Sequence, residues 1–165
     1  MIQPLKKRTI KEIFDNEDSL DSTWDKQLSD YLKKYDKKKG YIFDGIYMKD
    51  KVNFIKVKPK QFFIVNYDTS EKSGSHWVAI LKNGNKVYHF GSYGIPPLVT
   101  IQGKFSQFQI QYNDRAVQKS GTKICGHLCV SFIEHMLVKN DFNGFINECT
   151  RYSNRYKIDM EKNVM

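Results

Sequence analysis

Cysteine is scarce in this chain and long apolar runs are missing. Three cysteines in 165 residues are too few for the disulfide framework of a small secreted domain. A reducing setting is the natural expectation: cytosol, nucleus, or a particle assembled there. No apolar run approaches the ~20 residues that a bilayer-crossing helix needs. The opening stretch, MIQPLKKRTIKEIF, lacks the apolar core of a secretory signal. We therefore expect a protein that is neither secreted nor membrane-embedded. Zinc-finger, ribonucleoprotein and helix-turn-helix patterns are also missing, as are internal repeats, low-complexity segments and linkers.

What the chain does have is a core. It is 40% hydrophobic and 14% aromatic, the composition of a folded globule. Its length suits one domain over 1–165: an N-terminal helical and mixed part (1–60), a central core (61–138), and a last helix with its tail (139–165). The net charge is +9, from 27 Lys+Arg against 18 Asp+Glu. The excess is clustered at Lys6, Lys7 and Arg8, over 33–39, and over 49–60. Such clusters draw polyanions by counterion release and suit non-specific nucleic acid. They equally suit a solvated basic surface that keeps a monomer soluble. Composition leaves both open.

Periodicity gives an α+β order. Thr9 with Glu12 forms a capping-box pattern and opens a short helix. Ser22 is expected to cap a second, with Trp24, Leu28, Tyr31, Leu32 and Tyr35 on its buried face and Gly40 as its stop. Short β-prone pieces follow at 41–43 and 52–57. QFFIVN at 61–66 reads as a strand buried on both faces. DTSEKSGS at 68–75 reads as a loop. HWVAIL at 76–81 and KVYHF at 86–90 read as a hairpin across an Asn-Gly turn. After a loop at 91–97, the alternation of Phe108, Ile110 and Tyr112 marks a half-buried strand. Phe142, Phe145, Ile146, Cys149 and Tyr152 fit a final amphipathic helix. Strands cluster and a hairpin joins two of them, so a doubly wound parallel fold is excluded. The expectation is a central mixed sheet flanked by helices.

The stretch QKSGTKICGHLCVSFIEHMLV at 118–138 carries the chemistry. A flexible loop delivers Cys125 to the first turn of a helix whose apolar stripe is broad enough for near-complete burial. There the free N–H groups and the helix dipole favour thiolate over thiol. Cys129 and Cys149 read as core. A base is needed, and there are four histidines. His127 and His135 fall on the polar side of the nucleophile's helix and read as solvated, while His89 lies inside a strand. His76 opens a strand after a Gly-Ser loop, where it can face a cysteine across a cleft. Gln118 precedes Cys125 across the loop, and its amide can join the Cys125 N–H in binding a developing oxyanion. Cys125, His127 and Cys129 could suggest zinc, but 125 and 127 point apart on a helix, and no metal is expected.

His76-Trp77, Gln118 and Cys125-Gly126, in this order, resemble the adenain-like cysteine proteases. These include the adenovirus maturation protease, its relatives in virophages and large DNA viruses, and, more distantly, the ubiquitin-like-protein proteases. The resemblance spans 60–135. SGSHWVAIL looks like the family's histidine strand, VYHFGSYGIPP like the strand and loop that carry its acid, and QKSGTKICGHLCVSF like its glutamine and nucleophile segment. It implies a papain-like fold in which Cys125 is the nucleophile, His76 the base and then the acid, and Gln118 part of the oxyanion hole. Trp77 and Gly126 would border the substrate cleft. It further implies cleavage beside small residues such as glycine, viral precursor or capsid proteins as substrates, a place in the virion and the host cytoplasm or nucleus, and no cofactor beyond a possible DNA or peptide activator. The departure is Gly91, where the family carries Asp, Glu or Asn. A Cys–His dyad, an imidazole oriented by Ser92 or a water, or a disabled relative that binds nucleic acid or capsid would each account for it. Asp68 and Asp114 are spare acids. A deconjugating enzyme for a ubiquitin-like modifier would use the same machinery.

Overall fold

In the computed structural model the backbone is described for residues 3–67 and 76–164, and side chains for the same residues up to 153. The expected loop at 68–75, with Asp68, lies outside the described residues. The architecture is α+β. Five strands form one mixed sheet in the order β1-β2-β3-β4-β5: Ile42–Met48, Lys60–Asn66, Trp77–Asn83, Lys86–Gly91 and Gln109–Tyr112. The outer pairs β1–β2 and β4–β5 are parallel, and the inner pairs β2–β3 and β3–β4 antiparallel. Gly84, at φ +61° in the β3–β4 turn, takes the left-handed conformation that glycine adopts without steric cost.

The sheet has two packed faces. On one, Phe62, Ile64, Ala79, Leu81 and Phe90 pack in a core with the helices α1 (Ile10–Asp15), α2 (Asp25–Leu32), α4 (Cys125–Lys139) and α5 (Phe142–Val164). On the other, Phe63, Val65, Val78, Ile80 and Val87 pack against a 3₁₀ segment, Lys49–Phe54, and the short helix α3, Val99–Lys104. Double-sided cover explains why QFFIVN has no polar alternation.

Local signals met different fates. The Thr9–Glu12 capping box forms, with Glu12 N donating to Thr9 Oγ1 at 3.1 Å and Thr9 N to Glu12 Oε1 at 3.4 Å. Ser22 does not cap α2. The cap is Trp24, whose N–H donates to Gln27 Oε1 at 2.9 Å. Trp24 is consequently 56% exposed, not core. The helix ends at Leu32, and two 3₁₀ turns carry the chain to Gly40. The β-prone piece at 52–57 is not a strand: Val52 and Ile55 are buried three residues apart, the repeat of the 3₁₀ segment that closes there. Helix α3 was not expected.

Candidate active site

Helix α4 packs across β3 and sets the site. Its buried residues run from Cys125 and Gly126 through Leu128, Cys129 and Phe132 to Leu137. One turn below Cys125, the Cys129 thiol donates to the Trp77 carbonyl at 3.3 Å. Helix α4 is thus bonded to the residue that follows His76. Ile124 is the N-cap and makes no side-chain cap bond. The first-turn N–H groups have no intrahelical acceptor, so the positive end of the helix lies at Cys125.

His76, Trp77, Tyr93 and Cys125 line one cleft with Ser22, Thr23 and the 121–123 loop, and its volume is about 320 Å³. The structure therefore brings together two residues that lie 49 positions apart in the sequence. Both are buried, His76 at 8% exposure and Cys125 at 4%. The His76 ring lies 4.9 Å from the Tyr93 ring and 5.8 Å from the Tyr67 ring. Trp77 is a cleft wall, as expected. Its indole Nε1 donates to the Thr23 carbonyl at 3.3 Å, which pins the N-terminal segment to the strand.

Gln118 is buried and held at both ends. Its Nε2 donates to the Thr122 carbonyl at 2.7 Å, and its Oε1 accepts from Ser92 Oγ at 2.5 Å. An amide has two N–H bonds on nitrogen, so one remains beyond the Thr122 bond. The one proton of Ser92 Oγ, expected beside His76, is given to Gln118. Ser92 also accepts at its carbonyl from Val117 N and Gln118 N, at 2.7 and 3.1 Å. The turn after β4 is the anchor of the oxyanion candidate.

Gly126 also needs correction. It does not border the cleft, because Thr23 covers it. A Cβ at 126 would lie 1.8 Å from Thr23 Oγ1, so only glycine admits this contact. Gly91 ends β4 with both backbone polar groups taken by Asn113. Its N–H donates to Asn113 Oδ1 at 3.2 Å, and its carbonyl accepts from Asn113 Nδ2 at 2.7 Å. Asp114 is exposed.

The remaining histidines differ from expectation. His127 and His135 are half-buried rather than solvated, each with Nε2 on a backbone carbonyl: Asp21 at 3.0 Å and Asp141 at 2.9 Å. Burial lowers the His127 pKa. His89 is fully buried, and burial pushes its pKa down to about 3, so it stays neutral. Burial also raises the pKa of Cys129 and Cys149, which remain thiols.

Sequence reasoning missed Thr23, Tyr67, Tyr93 and Asn113. Only Tyr93, inside the acid-loop resemblance, had any signal. The lysine clusters are partly spent inside the fold. Lys39 Nζ donates to the Leu137 carbonyl at 2.5 Å, Lys60 Nζ to the Lys39 carbonyl at 2.9 Å, Lys58 pairs with Asp44, and Lys34 sits 3.4 Å above the Tyr31 ring.

No protein-family model matches the chain. A solved structure of the SUMO protease Ulp1, its catalytic cysteine oxidised to a sulfinic acid, superposes with a TM-score of 0.47 at 11% identity, covering 85% of this chain and 79% of that one. A protein of Acanthamoeba polyphaga mimivirus, named "Putative thiol protease", is 33% identical over 98 residues, 51% of this chain. The match spans 32% of that relative's length. The motif order and this relative point the same way: the chain is similar to a thiol protease of a giant virus.

Proposed function

We propose that the protein is a thiol endopeptidase with Cys125 as nucleophile and His76 as base and acid. The observation that carries this reading is the shared cleft: a cysteine at the uncapped N-terminus of a buried helix and a histidine at the mouth of the strand beneath it. His76 takes the Cys125 proton, and the thiolate attacks the scissile carbonyl. The oxyanion that forms is met by the Cys125 N–H and the free N–H of Gln118 Nε2. His76 returns its proton to the leaving amine, which leaves a thioester on Cys125. A water deprotonated by His76 then hydrolyses the thioester and frees the thiol.

Trp77, Tyr93 and Thr23 line the cleft, which favours an extended chain with glycine or another small residue beside the scissile bond. The resemblance noted in the sequence favours precursor proteins of a viral particle as substrates of this activity, cut in the virion or the infected cell. An electrophilic peptide probe tests the reading. Labelling at Cys125, lost in Cys125→Ala and strongly slowed in His76→Ala, is the expected result. Labelling that is unchanged by Cys125→Ala refutes it.

A further inference from the structure

Position 91, where the family pattern implies a carboxylate, is glycine, and the same sheet face holds another device. Tyr67 continues β2 by one residue, donating its N–H to the His76 carbonyl at 2.9 Å. It therefore stands directly across from His76, one step beyond the Asn66–Trp77 pair. The two rings meet edge to face, 5.8 Å apart at 79°. The Tyr93 ring also approaches His76, to 4.9 Å at 46°. The imidazole packs against two tyrosines.

Tyr67 is itself fixed. Its hydroxyl oxygen accepts from the Leu98 N–H at 3.3 Å. Its hydroxyl also bonds His89 Nε2, and the two rings lie 5.7 Å apart. His89 sits on β4 two residues before Gly91, so their side-chain positions share a face. A Cβ at 91 would lie 3.8 Å from His89 Cε1 and 3.1 Å from Val78 Cγ1. The glycine leaves that space to the His89 ring. A neutral His89 suits the arrangement: its Nε2 accepts the Tyr67 proton while the Tyr67 oxygen accepts from Leu98.

We propose that Tyr67, locked by His89 and the Leu98 amide, is a positioning residue for His76, holding the imidazole toward Cys125 by ring packing. This rests on the assignment of His76 as the base. A ring wall and a carboxylate differ in one respect. The wall fixes orientation but adds no negative charge, so it does not stabilise the imidazolium that forms during attack.

The test uses Tyr67→Phe, which keeps the ring and removes the lock, His89→Leu, which removes the other half, and the double variant. Peptide turnover is read as kcat and KM separately. Each single variant is expected to lower kcat about tenfold with KM unchanged, since misplacing a catalytic group by under an ångström acts on the chemical step. The double variant is expected to lose no more than the worse single one, because both act through one ring. A second readout needs no substrate. The His76 pKa is followed by NMR with and without Cys125→Ala, in the wild type and in Tyr67→Phe. Tyr93 and His89 face His76 in all four proteins, and Tyr67 in the two that keep it. A thiolate against the imidazole raises its pKa, so Cys125→Ala is expected to lower it by about one unit in the wild-type background and by less than half as much with Tyr67→Phe. Unchanged coupling and unchanged kcat in a folded Tyr67→Phe variant overturn the proposal. A wild-type protein that cleaves nothing, yet shows a Cys125–His76 coupling that Tyr67→Phe weakens, removes the protease reading and leaves the positioning role standing.

Discussion

The thiol of Cys129 donates to the carbonyl of Trp77 at 3.3 Å, joining the Cys125 helix to the His76 strand one turn below Cys125. Cys129→Ala removes a buried donor, strands the carbonyl and leaves a small void. It is expected to cost about 1–2 kcal/mol of stability, read by denaturant titration. Turnover should fall far less than in Cys125→Ala, because the rest of the α4–β3 packing remains. Turnover as low as that of Cys125→Ala would mean that the bond sets the catalytic geometry outright.

Ser92 and Gln118 form a pair in the same sense. Gln118→Ala is expected to lower kcat about a hundredfold or more, the usual cost of losing one oxyanion donor. Ser92→Ala leaves the amide in place but frees its oxygen end, and an effect of about tenfold on kcat is expected, a fraction of the full donor loss. If Ser92→Ala equals wild type while Gln118→Ala is crippled, the Thr122 bond alone orients the amide.

Gly91→Asp tests the missing acid. Backbone conformation does not oppose it, since Gly91 is outside the positive-φ set. Packing does: the new Cβ would press on Val78 Cγ1 at 3.1 Å, at a cost of about 1–3 kcal/mol. With Val78→Ala to make room, the carboxylate is expected to raise kcat by stabilising imidazolium. A folded double variant no faster than Val78→Ala shows that the carboxylate does not reach the base.

His89 fixes a pH dependence of stability. Its pKa is about 3 in the fold against 6.5 ordinarily. Between those values the unfolded chain binds more protons, so stability rises with pH through the window and is lost on acidification below about 6.5. Half-buried His127, also depressed, adds in the same direction, whereas buried Glu17, raised above 4.5, acts in the opposite one. The slope due to His89 is the difference between wild type and His89→Leu in melting temperature from pH 7 to pH 4. Parallel curves would contradict it.

Thr23 gives an inverse case. Its buried hydroxyl has no hydrogen-bond partner among the described residues. Thr23→Val keeps the shape and removes that group, so stability is expected to rise by about 1 kcal/mol, seen in the chemical midpoint. A loss of stability would reveal a bond that forms in solution.

Much of this was legible in the sequence. Helix α4 announces itself because its apolar period outlasts any competing pattern, and the β3–β4 hairpin because Asn-Gly specifies its turn. That His76 and Cys125 share one cleft was anticipated from motif order. What failed has a common cause. The bond of Ser92 to Gln118 and the seat of Thr23 on Gly126 were not foreseen, since these contacts lie 26 and 103 residues away with no local mark. The 52–57 stretch misled because β-branched and aromatic residues there obey a period of three, which is visible once Val52 and Ile55 are seen to be the buried pair.

The seat of Thr23 on Gly126 has a temporal meaning. One flank of the cleft comes from the first two dozen residues, and the nucleophile's helix begins a hundred residues later. Contacts of such separation close late, after the entropy of the intervening loop has been overcome. On a ribosome, the early segment waits for its glycine until most of the described sheet has been made. A chain caught part-way carries the His76 strand but not Cys125, so under the proposed assignment the cutting site is incomplete while the nascent chain is itself most open to being cut.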